Sequence, residues 1–334
     1  MSKIAIENIL NNIKVLNDLK TGYSLSQTIN DEIKTIIKSN INFNKKIKFQ
    51  KKSLSLSENI KKNFFSYLMI SSLSKIGIHE SRVIEYGKII FGLRTIITAT
   101  DNIIDNENKG IVFIEGQENI VVRNTLLIML GQQIVQDALI NLGDINLKTM
   151  FNILEKIYLV ANSESIRDSK LYSSYPKPDY ISKNIHSGIG GQLLVLSLIA
   201  PLSLEKDISI LRNLKKLEDS LYKIGIALQE LDDFSDIEED FNSDKVNLAI
   251  SQLFYEFSTP IDINIVEALS KVETNDFKIK YLKNVNDTAI DGFKILAELG
   301  YSLNEKEIIK LLKFLYKIRG LGEYWDLYEL TISC

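Results

Sequence analysis

Apolar side chains recur along nearly the whole chain at the three-and-four-residue spacing of amphipathic helices. The two-residue alternation of a half-buried strand is almost absent. Ile308, Leu311, Leu312, Leu315 and Ile318 form one such stripe, each about a turn from the next. The helix that carries it is punctuated: Gly300 ends the helix before it, and Ser302 with Glu305 has the spacing of a capping box. Helix interiors exclude proline, and the chain has only 4, at positions 176, 178, 201 and 260. Residues 111–122 (IVFIEGQENIVV) have some strand character but are read as a loop. There is no internal repeat and no low-complexity linker. The pattern therefore predicts an all-α fold, a single-domain helical bundle with residues 1–50 as peripheral N-terminal helices and 51–334 as the main helical domain.

Composition narrows the classes. Of 334 residues, 45% are hydrophobic, enough for a sizeable core. The net charge is −3 with both signs interspersed, which excludes the basic stripe of a nucleic-acid binder. The single cysteine is Cys334, so no disulfide forms within the chain, and a reducing, cytoplasmic setting is expected. The opening MSKIAIENILNNIK mixes charged and polar residues into its apolar pattern and reads as neither a signal nor a transit peptide. The longest apolar stretch, Leu193–Leu202, is well short of the ~18 residues of a membrane span, so no transmembrane segment is expected.

Two acidic segments break the apolar pattern. Asp101-Asn-Ile-Ile-Asp105 ends one helix, and Asp232-Asp233-Phe-Ser-Asp236-Ile-Glu-Glu-Asp240 continues another whose apolar face includes Leu221, Ile224, Ile226 and Leu228. Asp101 and Asp105 share a face about 6 Å apart, and Asp232, Asp236 and Asp240 share another, one turn apart. Like charges one turn apart repel, so converging carboxylates call for cations. Hard divalent ions suit oxygen ligands, and Mg²⁺ typically shares its sphere with substrate phosphates. An acidic pair alone is more often a solvated helix face. Two of them, each at the polar end of a strongly apolar helix, point to a phosphate or diphosphate site.

In this arrangement the chain resembles the class I isoprenoid synthases, that is, the trans-isoprenyl diphosphate synthases and class I terpene synthases, over roughly residues 55–325. TDNIIDNENKG is similar to the family's first aspartate-rich motif, DDxxD, with Asn102 for its second aspartate. LQELDDFSD is similar to the second, FQxxDDxxD, with Leu228 for phenylalanine, and the following Asp244-Lys245 resembles the GK segment. The resemblance implies a helical bundle around a central active-site cavity and three Mg²⁺ ions. It implies Asp101, Asp105, Asp232, Asp236 and Asp240 as metal ligands, the first four of them catalytic. It also implies that His186, Gly190, Lys245 and Arg319 meet the diphosphate. His186-Ser-Gly-Ile-Gly190-Gly191 lies where relatives have a kinked helix. Ile96 and Ile97, just before Asp101, are expected at the cavity floor.

The resemblance implies an allylic prenyl diphosphate as substrate and allows a homodimer. It leaves four activities open. They are a terpene synthase-like enzyme acting on one diphosphate, a chain-elongating prenyl diphosphate synthase, a prenyltransferase onto a peptide or other acceptor, and a non-catalytic subunit of a heteromeric synthase. The retained aspartates argue against the last. The GGKxxRP and RRG segments, which bind isopentenyl diphosphate in elongating relatives, are missing. Lys61, Lys62 and Lys109 are the nearest replacements, so the single-substrate reading leads.

Overall fold

The structure is a computed structural model that describes residues 14–49, 56–257, 275–318 and 320–332. Cys334, Pro260 and the candidate diphosphate ligand Arg319 lie outside the described residues. The chain is all-α apart from a two-stranded ribbon. Its longer helices are α1 (Lys20–Asn40), α2 (Leu56–Lys75), α3 (Glu80–Ile104), α4 (Ile120–Asn141), α5 (Lys148–Ser165) and α6 (Ile208–Ser235). They continue with α7 (Ile237–Asn242), α8 (Leu248–Tyr255), α9 (Asn275–Glu298), α10 (Glu305–Ile318) and α11 (Gly322–Ile332). The chain divides into two compact units, one holding Leu16–Ile153 and Ser197–Lys215, the other chiefly Leu154–Leu196 and Lys216–Cys334.

In the first unit, helices pack close enough that side chains are trimmed at the crossings. A Cβ on Gly92 of α3 would meet the Gly131 carbonyl of α4 at 2.7 Å, and a Cβ on Gly131 would meet the Gly92 carbonyl at the same distance. Any larger residue would force the two backbones apart. Helix α1 joins this core through buried Leu25, Ile29, Ile33 and Ile37, and the division into units does not fall at residue 50. Residues 111–122 are a loop only in part, at 115–119. Val112–Ile114 pairs antiparallel with Ile47–Phe49, Ile47 opposite Ile114, and the rest leads into α4, whose first turn is capped by Asn119 accepting from the Val122 amide at 3.0 Å. The strand partner lies more than sixty residues away, which local alternation cannot reveal.

In the second unit, α6 buries Leu217, Leu221, Ile224, Ala227, Leu231 and Phe234, while Ile226 and Leu228 are only half-buried. Ile308, Leu311, Leu312 and Leu315 of α10 are buried as their spacing predicts. The cap of α10 is Asn304, whose side chain accepts from the Glu307 amide at 3.0 Å, in place of the expected Ser302 box. Gly300, at φ 89°, closes the preceding helix, and the Tyr301 amide reaches back to Leu296 at 3.2 Å.

The helical run Pro178–Leu204 is longer than the expected apolar stretch and, by length and composition alone, would cross a bilayer. Glycines and serines extend the run without adding charge. Of its apolar window, 56% is buried inside the protein, as in a core helix.

Candidate functional site

Helix α3 carries the first acidic motif at its C-terminal end. It stops at Asp105, and Asn106 takes a left-handed φ of 54°, turning the chain into the Glu107–Gly110 loop. Asn102 fixes that loop. Its side chain donates to the Lys109 carbonyl at 2.7 Å and to Asn124 Oδ1 at 3.2 Å, and accepts from the Lys109 amide at 2.9 Å. It is buried at 2% exposure, whereas Asp101 and Asp105 are exposed. An aspartate at 102 would have no hydrogen to donate. The position is a loop lock, and the outer pair is what faces outward.

Asp101 and Asp105 line a cavity of about 510 Å³ with Lys62, Arg94, Lys109 and Phe113. Lys109 is exposed and pairs with Glu107. Arg94 donates to Asn63 Oδ1 at 2.6 Å, to Ser66 Oγ at 3.4 Å and to the Lys62 carbonyl at 3.0 Å, and none of these acceptors is a carboxylate. Burial holds its guanidinium below the usual arginine range. Arg94 also borders a neighbouring cavity of about 260 Å³ lined by Tyr23, Lys34, Asn59, Tyr67 and Phe91 among others. Ile96 and Ile97 are half-buried, and Ile96 lies against Gly131 of α4.

The second acidic motif lies in the other unit. Helix α6 ends at Ser235, and Asp236, at φ −105° and ψ 14°, is a joint before α7. Ser235 Oγ donates to Asp236 Oδ1 at 2.7 Å. Asp236 is exposed and Asp232 half-buried, but Asp233 and Asp240 are buried at 1% and 5%. Asp233 accepts from the Leu248 amide at 2.7 Å and from Gln229 at 3.0 Å, and shares a 2.9 Å hydrogen bond with His186 Nε2. Asp240 accepts from Asn247 at 2.9 Å and from Arg167 at 3.3 Å. Burial pushes Asp233 up, but His186 and Arg167 outweigh it and hold its carboxyl below the usual range. For Asp240 burial prevails, and its carboxyl stands above that range. Burial also pushes the half-buried Glu230 up to about 7.

This network reassigns two expected site residues. Asp240 was expected on the metal face with Asp232 and Asp236, but its carboxylate is turned inward to Arg167 and Asn247. His186, expected at the diphosphate, is buried at 1% exposure against Asp233. The physical reason lies in the partners of Asp240: Arg167 and Asn247 hold its carboxylate, although the Asp236 amide still donates to the Asp232 carbonyl and the Asp240 amide to the Asp236 carbonyl. Lys245 is exposed, and its amide donates to the Asp240 carbonyl at 2.8 Å.

Residues Ser182–Gln192 form a π-helix, followed by one turn of α-helix and one of 3₁₀. The irregular stretch lies where the resemblance implies a kinked helix. Here the glycines serve close packing. A Cβ on Gly190 would meet the Gly225 carbonyl of α6 at 2.8 Å, one on Gly191 would strike the Tyr222 ring, and one on Gly188 would strike Ser163 of α5.

No family model matches the chain, and no curated protein matches it. Among solved structures it is similar to a geranylgeranyl pyrophosphate synthetase from the archaeon Geoglobus acetivorans. The two are 14% identical, the match covers 90% of this chain and 99% of that one, and the TM-score is 0.54. The chain has the isoprenoid synthase fold. On that fold, the residues that sequence reasoning did not place are Arg167 and Asn102 in their holding roles; Arg94, two turns before Asp101 in sequence, bonds an amide, a hydroxyl and a carbonyl and not the acid of an internal ion pair. Arg167 sits far from both motifs in sequence and carries no spacing signal.

The isoprenoid synthase fold also bears on metal. Among the described residues, no three His, Cys, Asp or Glu side chains converge tightly enough to hold an ion by themselves. Asp101 and Asp105, both exposed, and Asp232 and Asp236, half-buried and exposed, have the donor chemistry that suits Mg²⁺, which is usually held by one or two carboxylates and completes its sphere with water and substrate phosphate.

Proposed function

We propose that this chain is a magnesium-dependent enzyme that ionises an allylic prenyl diphosphate. The observation that carries the reading is a mixed cavity on an isoprenoid synthase fold, in which Asp101 and Asp105 stand with Lys62, Arg94 and Lys109. Carboxylates alone would repel a diphosphate, and lysine and arginine alone would bind one without needing a metal. The combination suits a metal-bound diphosphate. Asp101 and Asp105 in the first unit, and Asp232 and Asp236 in the second, are the proposed Mg²⁺ ligands, and the metal would neutralise the charge that develops on a leaving diphosphate. The cations contributed by the chain would orient the phosphate oxygens. Arginine does so through a planar fork and lysine as a point charge.

A second reading, chain elongation, is favoured by Arg94. A half-buried guanidinium that hydrogen-bonds amides, a hydroxyl and a carbonyl keeps charge available for another anion, and it stands in one cavity with Lys62 and Lys109. Two diphosphates side by side repel strongly and need such a set. These side chains offset, in part, the missing GGKxxRP and RRG.

The test is incubation with geranyl, farnesyl or geranylgeranyl diphosphate, each with and without isopentenyl diphosphate, following diphosphate release and product mass. Release that EDTA stops supports the proposal. Products one or more C5 units longer, made only with isopentenyl diphosphate, assign elongation. Hydrocarbons or alcohols of unchanged carbon number assign the single-substrate reaction. No release from any of the three would sink the proposal.

A further inference from the structure

We propose that Arg167 is a positioning residue that sets the second acidic motif for its metal by holding the two inward carboxylates, Asp233 and Asp240, on either side of the joint at Asp236. The inference rests on the function proposed above. One guanidinium nitrogen, Nη2, lies 3.3 Å from Asp240 Oδ2 and 3.8 Å from Asp233 Oδ1. Asp233 belongs to α6 and Asp240 to α7, so this single group ties together the two helices that meet at Asp236.

The tether is itself anchored. The Val246 amide donates to the Arg167 carbonyl at 2.6 Å, and the Ser169 amide to the Asp244 carbonyl at 2.8 Å, so residues 167–169 run as a short antiparallel bridge beside 244–246. Asn247 joins both sides from the next helix, its amide nitrogen reaching the Asp233 carbonyl at 2.7 Å and Asp240 Oδ2 at 2.9 Å.

Two buried carboxylates so placed repel each other unless a cation stands between them. Arg167 is that cation. Without it, α7 loses its charged hold on the end of α6, and the angle at which Asp236 leaves the joint is no longer fixed. A residue that orients ligands without touching the ion typically changes metal affinity by about 10–100-fold when removed. A residue that only stabilised the fold would change melting and leave affinity alone.

The experiment is calorimetric titration of the full chain with inorganic pyrophosphate in excess Mg²⁺, for wild type, Arg167→Met and Arg167→Lys, alongside melting curves without metal. Expected is pyrophosphate binding weakened about tenfold or more in Arg167→Met, recovery of a large part of the loss in Arg167→Lys, and a metal-free melting point near wild type in the lysine variant. If Arg167→Met does not fold, Arg167→Gln, which keeps two N–H donors while removing the charge, takes its place with the same expectation. Wild-type affinity in a folded charge-removed variant overturns this role while leaving the proposed function standing. A wild-type chain that binds no pyrophosphate with Mg²⁺ overturns both.

Discussion

At the scale of single residues, aspartates of one short segment divide into two kinds. Asp232 and Asp236 are half-buried or exposed, and Asp233 and Asp240 are locked inward. Asp101→Ala and Asp232→Ala are therefore each expected to cut diphosphate release by about 100- to 1,000-fold at saturating Mg²⁺ while circular dichroism stays that of a helical protein. Unchanged turnover in either removes that residue from the metal site. Asn102→Asp is expected to destabilise by about 3 kcal/mol, because it buries a carboxylate against the Lys109 carbonyl and Asn124 Oδ1. Urea unfolding measures it, and a variant as stable as wild type would mean the loop lock contributes little. The outer acids could be read from the sequence because spacing on a helix face is local information. The inward turn of Asp240 could not, since it depends on an arginine from a distant segment.

At the scale of elements, helices meet through trimmed crossings and capped ends. Gly225→Ala would place a Cβ 2.3 Å from the Gly190 carbonyl of the π-helix, and an overpacked crossing of this kind costs about 1–3 kcal/mol. A melting point equal to wild type would show that the π-helix can retreat freely. Asp144 caps α5, accepting from the Lys148 and Thr149 amides at 3.1 and 2.7 Å. Burial pushes its carboxyl up, but the Thr149 and Lys148 hydrogen bonds together outweigh this and hold it below the usual range. A depressed folded-state pKa contributes stability above the unfolded value of about 3.9 that is lost as pH falls through the folded one. Asp144→Ala should thus cost about 1 kcal/mol at pH 7, and the gap to wild type should close in strong acid. A gap that is constant with pH would assign the loss to packing instead. The helices themselves were legible from apolar period. The strand Val112–Ile114 and the cap at Asn304 were not, the first for its distant partner and the second because Ser302 and Asn304 are both good caps in sequence.

At the scale of the whole molecule, the outward face of α4 is unusual for a solvent-facing helix. Val121, Val122, Thr125, Met129, Gln132, Gln133 and Ile140 are all exposed and none is charged, while the charged residues of α4, Arg123 and Asp137, are half-buried. The resemblance allows a homodimer, and light scattering at micromolar concentration tests it on this face: a dimer that Met129→Lys shifts to monomer assigns the face, and a monomeric wild type excludes it. The all-α class was legible from the sequence as a whole. The division into two units was not, because the segment Ser197–Lys215 returns to the first unit after the chain has entered the second.

Codons for asparagine and aspartate differ by one base, so an ordinary point mutation would give position 102 the second acid of the family motif. The lock that Asn102 makes turns that step into a costly one. Its neighbour Asn124 could present its amide hydrogens to a new carboxylate only by giving up the 2.9 Å bond to the Ile120 carbonyl. Positions 102 and 124 are thereby coupled through one hydrogen bond, so that a change at the first alters what the second must supply. Among descendants of this chain, an aspartate at 102 should be found where 124 has also changed.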